Sequence, residues 1–366
     1  MPLRDDTIPN SGPEPGAPET LERLVQQAEG AQASDIHLHI QNGPAAITFR
    51  LDGVMAPAGT LPADLAERVF GRIKFLARLK TYQESLPQDG RIDKAALNTR
   101  SDLRVATYPT VTGEKIVLRF FHDAAVKTLS GLEFPEAARH ELERFLAQTA
   151  GLLLLTGPAG SGKTTTIYAC LRHLAERGGR HIITVEDPAE QILPGIMQTE
   201  INEARGLDFA KAARHLLRQD PQVLVIGEIR DEETGDLAVR AALTGHLVIS
   251  TLHAGSCRGV FERLLVLCRD HSAVASSVEL VLNQRLVRRL CPGCTGRGCP
   301  DCLNTGYRGR LPLLEWLRSS HPLRRWLAAG DLDRLAANPS LADAARALVQ
   351  SGLTNQAEID RVLGAK

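Results

Sequence analysis

Residues 152–166 read LLLLTGPAGSGKTTT: four leucines, a glycine-rich turn, then a lysine and three threonines. An apolar run of this kind is a buried strand, and here it delivers a turn to the start of a helix. Gly157, Gly160 and Gly162 lack a Cβ, so successive N–H groups can turn inward around a phosphate while the helix N-terminus adds its partial positive charge. Pro158, Ala159, Ser161 and Thr165 complete the binding stretch. Lys163 supplies a point charge for the terminal phosphates and Thr164 a hydroxyl for Mg2+, which completes the spacing Gly-x-x-x-x-Gly-Lys-Thr. The stretch therefore predicts a nucleoside triphosphate site with Mg2+ inside an α/β domain.

The neighbouring sequence alternates strand and helix, as a doubly wound parallel sheet requires. HIITVE, VLVIGE and HLVIST are short, branched and apolar throughout, the pattern of strands buried on both faces. GLDFAKAARHLLRQ places Phe209, Ala213, Leu216 and Leu217 on one helical face. Cleaving a phosphoanhydride needs positioning, a metal, charge stabilisation and one carboxylate to orient water. Glu228, in VLVIGEIRD, stands at the C-terminal edge of a strand, where ligands bind in open α/β sheets. The residue before it is Gly227 rather than the metal-holding aspartate of many phosphate-loop enzymes, so a further acid must come from ITVEDPAE, with Glu186 and Asp187. Glu228 is assigned to water activation and Glu186 to Mg2+ and water ordering, and the two roles are exchangeable. Helix capping or salt bridging is the plainer alternative, strongest for Asp187. His246 precedes the strand HLVIST and His253 follows it, the latter level with the other strand ends and so within reach of a γ-phosphate.

A chain of 366 residues predicts two or three domains. Residues 1–19 are polar, acidic and proline-rich, read as a disordered lead-in without signal-peptide character. Residues 20–128 form a smaller mixed α/β domain. In it TLERLVQQAEGAQ has helical spacing with Thr20 as N-cap, SDIHLHI and AAITFRLDGVM alternate like strands, RVFGRIKFLARL is helical and KIVLRFF extended. Arg91, Arg104, Lys115 and Arg119 sit at its later strand edges, where scattered basic residues usually form a solvated face. Ser-Gly and Phe-Pro breakers put the boundary near 128–135, and the ATPase domain spans 129–290.

Beyond Leu290 the order breaks at CPGCTGRGCPDC. Cys291, Cys294, Cys299 and Cys302 form two Cys-x-x-Cys pairs able to offer four thiolates to a structural Zn2+ in a loop over 291–310. Cys170, Cys257 and Cys268 read as small buried hydrophobes. Residues 311–366 are expected to be helical, the last helix opening on a capping box of Asn355 and Glu358. Clustered thiols point to a reducing, cytoplasmic compartment. No run approaches the roughly 20 apolar residues of a membrane-spanning helix. Lys plus Arg and Asp plus Glu are equal at 43 each, which removes the global basic footprint of nucleic-acid binders.

The phosphate loop GPAGSGKTTTIY, the acidic box ITVEDPAE, LRQDPQVLVIGEIRDEETGDLAVRAALTGHLVISTLHA and NQRLVRRLCPGC together resemble the assembly and secretion ATPases of type II secretion systems, type IV pili and DNA-uptake pseudopili. ASDIHLH, RLDGV, LPQDGRI and LRVATYPT extend the resemblance over nearly all of the chain after residue 30. It implies a RecA-like ATPase domain preceded by a PAS-like domain, in a homo-hexameric cytoplasmic ring. Such a ring drives an inner-membrane platform protein, and so filament growth, by ATP hydrolysis, with peripheral membrane association through partners. Nucleotide would lie between the two domains, with Arg91 and Arg104 reaching its phosphates and Arg119 or Arg230 able to share that role. The chain begins almost directly at ASDIHLH, which predicts a short form without the further N-terminal domain that docks on a membrane-bound cytoplasmic adaptor. The four residues between the cysteine pairs make a shorter loop than in many relatives. The short build resembles retraction and competence-type members, but the resemblance implies no such cysteine loop in the retraction branch, so its presence argues against a retraction motor. A retraction or competence motor on the same core stays the alternative. A nucleic-acid translocase is a weaker alternative, as is a nucleotide-switched docking protein that barely hydrolyses ATP.

Overall fold

The structure is a computed structural model, and it describes residues 16–83, 85–120 and 126–364. The chain divides into two compact units. One comprises Met1–Ala124 with Cys291–Gly309; the other comprises Ala125–Leu290 with Arg310–Lys366.

In the first unit, α1 (Ala17–Gly30) precedes β1 (Asp35–Ile40), β2 (Ala45–Leu51), β3 (Val54–Leu61), α2 (Ala63–Leu76), β4 (Gln88–Ile92), β5 (Leu103–Thr110) and β6 (Gly113–Phe120). The strands form one sheet in the order β3-β2-β1-β6-β5-β4, and every pairing is antiparallel. Ile36, Leu38, Val105, Ile116 and Leu118 alternate onto the buried face and share a core with Leu21 and Val25 of α1 and Val69 and Ile73 of α2. The helix starts earlier than expected. Its N-cap is Gly16, and Thr20 is buried inside the first turns with its N–H donating to the Gly16 carbonyl. The expected lead-in therefore ends before Ala17, and its remainder lies outside the described residues.

The second unit begins with α3 (Glu136–Leu146) and runs through β7 (Gly151–Thr156), α4 (Lys163–Arg177), β8 (Ile182–Glu186), β9 (Met197–Glu200), α5 (Phe209–Leu216), β10 (Val223–Ile226), α6 (Glu232–Leu243) and β11 (Leu247–Thr251). It continues with α7 (Cys257–Leu267), α8 (His271–Ser277) and β12 (Val278–Leu290), and after the cysteine loop with β13 (Tyr307–Arg318), α9 (His321–Ala328), α10 (Leu341–Gln350) and α11 (Gln356–Leu363). The sheet order is β13-β12-β7-β11-β10-β8-β9, parallel from β12 to β9. Successive residues of β7 face opposite cores. Leu152 and Leu154 pack with α5, α6 and α7, while Leu153 and Leu155 pack with α3 and α4. Burial on both faces is why the strands carry no polar alternation.

Three expectations change. Residues from 311 are not helical at first, because β13 occupies Tyr307–Arg318 beside β12 as an edge of the sheet. The cysteine loop does not stand apart from both domains; it belongs to the first unit, where Leu303 packs on the core and the Gly309 N–H donates to Asp52 at 2.8 Å. Asn355 does cap α11, but the Glu358 carboxylate turns to Arg288 and Arg361.

Candidate active site

The phosphate loop lies between β7 and α4, as its sequence requires. Gly157 and Gly162 adopt φ of 141° and 90°, values that favour glycine. A Cβ on Gly157 would fall 2.3 Å from the Gln284 carbonyl, and one on Gly162 would fall 2.7 Å from Gln284 Nε2. Strand β12 therefore backs the loop closely. Pro158, Ala159 and Gly160 are exposed, whereas Ser161 is buried with its Oγ unpartnered. The orphaned Ser161 hydroxyl, just before the N-terminus of α4, fits the loop to a phosphate ligand. Lys163 Nζ donates to the carbonyls of Gly157 and Pro158, at 2.8 and 3.1 Å. Burial pushes its pKa down, Arg285 adds to this, and Glu228 opposes it, which places Glu228 in electrostatic reach of the loop. Thr164 is half-buried in the first turn of α4, Thr165 is exposed, and Thr166 turns inward to donate to Gln284 Oε1 at 2.9 Å.

Glu228 follows β10 and is gripped from two sides. His253 Nε2 lies 3.0 Å from one carboxylate oxygen and Arg230 Nε 2.8 Å from the other. Arg230 also reaches Asp187 at 3.5 Å and stacks over the Phe209 ring. Its own pKa is raised, chiefly by the hydrogen bond to Glu228. The structure thus brings together Glu228, His253 and Arg230. It also explains Gly227, since a Cβ there would come 3.0 Å from Phe209 and 3.1 Å from the Val185 carbonyl. A side chain here is crowded and needs the Phe209 ring to give way.

Glu186 ends β8 and is only 9% exposed. Its carboxylate accepts from Tyr168 (2.5 Å), Thr184 (2.5 Å) and Gln198 (2.9 Å). Burial and this bond to Glu186 push the Tyr168 phenol up to about 12, so Tyr168 stays a donor. Tyr168 falls within GPAGSGKTTTIY and Thr184 within ITVEDPAE, but neither motif pairs them with Glu186, and Gln198 lies outside both stretches. His246 is held locally, with Nδ1 3.0 Å from the Ala241 carbonyl.

Arg91 and Arg104 belong to the first unit and are direct cross-strand partners; Arg104 in turn faces Arg119, which faces Asp35, which faces Arg50. The period of two puts all of them on the open face of the sheet. Arg91 pairs with Asp102, Arg104 with Asp89 at 3.5 Å, and Arg119 with Asp35 at 2.7 Å, yet their side chains remain 67%, 60% and 64% exposed. The Arg104–Asp89 pair, exposed on both sides, is worth little to stability, whereas Asp35 is buried and depends on Arg119 and Arg50 to meet its charge.

The four cysteines of the loop form one cluster. Cys291 and Cys299 sulfurs are 3.8 Å apart, Cys294 and Cys302 3.8 Å, and Cys299 and Cys302 3.7 Å. A tetrahedral zinc with bonds of about 2.3 Å needs sulfur separations of about 3.8 Å. N–H groups of Gly298, Cys299 and Gly306 point at the sulfurs of Cys294 and Cys302. Although burial pushes the Cys302 thiol up, those of Cys299 and Gly306 bring it down to about 7. The donor set is that of a closed structural zinc site.

A family model described as Type II/IV secretion system protein matches residues 15–361. The Haemophilus influenzae "Protein transport protein HofB homolog" is 39% identical over 94% of this chain and 72% of its own length. The "Type II secretion system protein E" of Pseudomonas aeruginosa is 38% identical over 93% and 74%. Among solved structures, the Legionella pneumophila ATPase DotB aligns over 96% of this chain and 97% of its own with a TM-score of 0.71 at 21% identity. The pilus retraction motor PilT with bound ADP covers 92% and 95%, with a TM-score of 0.62 at 24% identity. These two likenesses support the fold, and the family match extends across both units: the chain belongs to the Type II/IV secretion system protein family.

Proposed function

We propose that this chain is the ATP-hydrolysing motor subunit of a type II secretion or type IV-like pilus assembly machine. The observation that carries the reading is the Glu228–His253 pair at the C-terminal edge of the parallel sheet, in electrostatic reach of the phosphate loop. Loop N–H groups and the α4 N-terminus attract the phosphates, and Lys163 exchanges its two carbonyl partners for phosphate oxygens. Thr164 would hold Mg2+, which when bound neutralises charge on the β- and γ-phosphates. Glu228 orients the attacking water and takes its proton, with Arg230 and His253 holding the carboxylate in place. Glu186, whose oxygens already serve three donors, bears on the metal and water from behind this front rank. Arg91 and Arg104, with Arg119 in their rank, are the first unit's candidates for stabilising phosphate charge.

The cysteine cluster holds a structural Zn2+ that stiffens the 291–309 loop within the first unit. The working assembly is a homo-hexamer on the cytoplasmic side of an inner membrane, acting on a platform protein and engaging a membrane-bound adaptor where one is present. No helix among the described residues is long and apolar enough to cross a membrane, so membrane attachment would run through such partners. The cysteine cluster favours assembly over retraction.

Steady-state ATPase assays test the site. Lys163→Ala and Glu228→Gln should each lower turnover by about 100-fold or more. Turnover unchanged in both variants would sink the assignment. Elemental analysis should find one zinc per chain, lost in Cys291→Ser/Cys294→Ser.

A further inference from the structure

His253 sits on the loop 252–256 between β11 and α7, and that loop is fastened to its neighbours rather than to itself. On one side Thr156, the last residue of β7, exchanges two hydrogen bonds with Ala254: its Oγ1 donates to the Ala254 carbonyl and accepts from the Ala254 N–H, both at 2.9 Å. On the other side, β12 places Asn283 in register beside Thr156. Asn283 Nδ2 donates to the Gly255 carbonyl and to Glu315 Oε1, both at 3.0 Å. Arg285 donates to Asn283 Oδ1 at 2.6 Å and to the same Gly255 carbonyl at 3.1 Å. Glu315 Oε1 also accepts from the N–H of Cys257, the first residue of α7, at 2.6 Å, and Oε2 accepts from the N–H of Leu341 at 3.3 Å.

Glu315 is 7% exposed. A carboxylate taken out of water is costly unless N–H groups meet it, and an apolar residue would pack the same space without that penalty. Here the charge faces the N-terminus of α7, the helix that the His253 loop enters, where a negative group is favoured. Its amide link, Asn283, is the residue that touches both this carboxylate and the loop.

We infer that Asn283 and Glu315 are positioning residues for hydrolysis: together they hold loop 252–256 so that His253 stays against Glu228. This rests on the reading that the Glu228–His253 pair serves ATP hydrolysis. Thr156 joins the loop to the end of β7, one residue before Gly157, so His253 and the phosphate loop share one anchored frame. Freed from Asn283, the loop keeps Thr156 and Arg285 but loses the bridge from the Gly255 carbonyl to Glu315. His253 then swings relative to Glu228 while the phosphate loop itself is intact.

The full chain, assayed for steady-state ATP hydrolysis, tests this with Asn283→Ala, Glu315→Ala, His253→Ala and the doubles that combine each with His253→Ala. Asn283→Ala and Glu315→Ala should each lower kcat by about tenfold with KM for ATP within about twofold, because ground-state binding is untouched. Neither should lower it further when His253 is already alanine, since residues acting through one group are not additive. Glu315→Gln keeps an acceptor for the Cys257 N–H and should recover most of the activity, and it decides the matter with Asn283→Ala if Glu315→Ala does not fold. Losses that multiply in the His253→Ala background overturn the inference while leaving the reading of His253 in place. So does a fall in ATP affinity and melting temperature in step with kcat. If His253→Ala alone leaves turnover unchanged, the reading of the Glu228–His253 pair fails first.

Discussion

The two sheets of this protein solve opposite problems. In the second unit, neighbouring residues Leu152, Leu153, Leu154 and Leu155 of β7 are all buried, because helices cover both faces. In the first unit, neighbouring residues of β5 part company: Val105 is fully buried and Arg104 largely exposed. A sheet covered on both sides can present chemistry only at its strand ends, and that is where Gly157, Glu186, Glu228 and His253 lie. A sheet with one open face can present a rank of side chains across its strands, and Arg91, Arg104, Arg119 and Arg50 form such a rank. One unit gathers backbone N–H groups, a lysine and a few acids at its strand ends; the other ranks guanidinium groups across an open face.

The contrast is most easily broken in β7. Leu153→Ala and Leu154→Ala, which face different cores, should each cost about 2–5 kcal/mol in chemical denaturation. In β5 the corresponding neighbours should differ, with Val105→Ala costly and Arg104→Ala nearly silent. Comparable losses at Arg104 and Val105 would mean that the face bearing Arg104 is covered.

A second loss of similar size is expected where β12 meets α11. Arg288 donates to Glu358 through Nε and Nη2 at 2.9 and 2.7 Å, and Glu358 is fully buried. Glu358→Ala should cost about 3 kcal/mol, since it strands a partly buried guanidinium. Burial pushes the Glu358 carboxyl up, but the hydrogen bonds from Arg361 and Arg288 prevail and hold it down to about 2, against an ordinary 4.5. A depressed carboxylate contributes stability that is fully present above the ordinary value and is lost as pH falls through the folded one. The stability gap between wild type and Glu358→Ala should therefore be flat above about pH 5 and shrink from 4.5 towards 2. A gap independent of pH in that window would show that packing, not charge, makes the difference.

Much of the second unit was legible because its signals are local. The phosphate loop, the apolar strands and the face formed by Phe209, Ala213 and Leu216 each follow from spacing alone. What escaped depends on partners distant in sequence. Glu186 reads as a free strand-end acid until Tyr168 and Gln198, 18 and 12 residues away, close on it. Glu315 carries no motif signal in PLLEWLR, yet β13 buries it against the start of α7. Residues from 311 read as part of a helical tail because the pairing that makes β13 a strand is supplied by β12. The first-unit arginines were visible one by one, but their common rank required the register of β4, β5 and β6.

Removing metal should have a smaller, more local effect. The cysteine loop contributes Leu303 to the first unit's core and one backbone bond to Asp52. Chelation, or Cys299→Ser, should therefore strip amide exchange protection from residues 291–306 and lower the first transition in a thermal scan while leaving the second unit's strands protected. Loss of protection spreading into β7 would contradict the assignment of this loop to the first unit.

The smallest effect on stability carries the sharpest test of what the open face is for. Arg104 makes one exposed contact, to Asp89 at 3.5 Å, and no part of it enters the core. Its replacement by alanine should change the unfolding free energy by no more than about 0.5 kcal/mol. If the arginine rank stabilises charge on the transferred phosphate, the same variant should lower kcat/KM for ATP by about tenfold or more, and Arg104→Lys should restore only part of it, because a point charge does not reproduce a planar fork. Silence in both assays would return Arg104 to the status of a solvated surface residue. A loss of activity without a loss of stability would place it in the reaction, which no property of the first unit's fold requires.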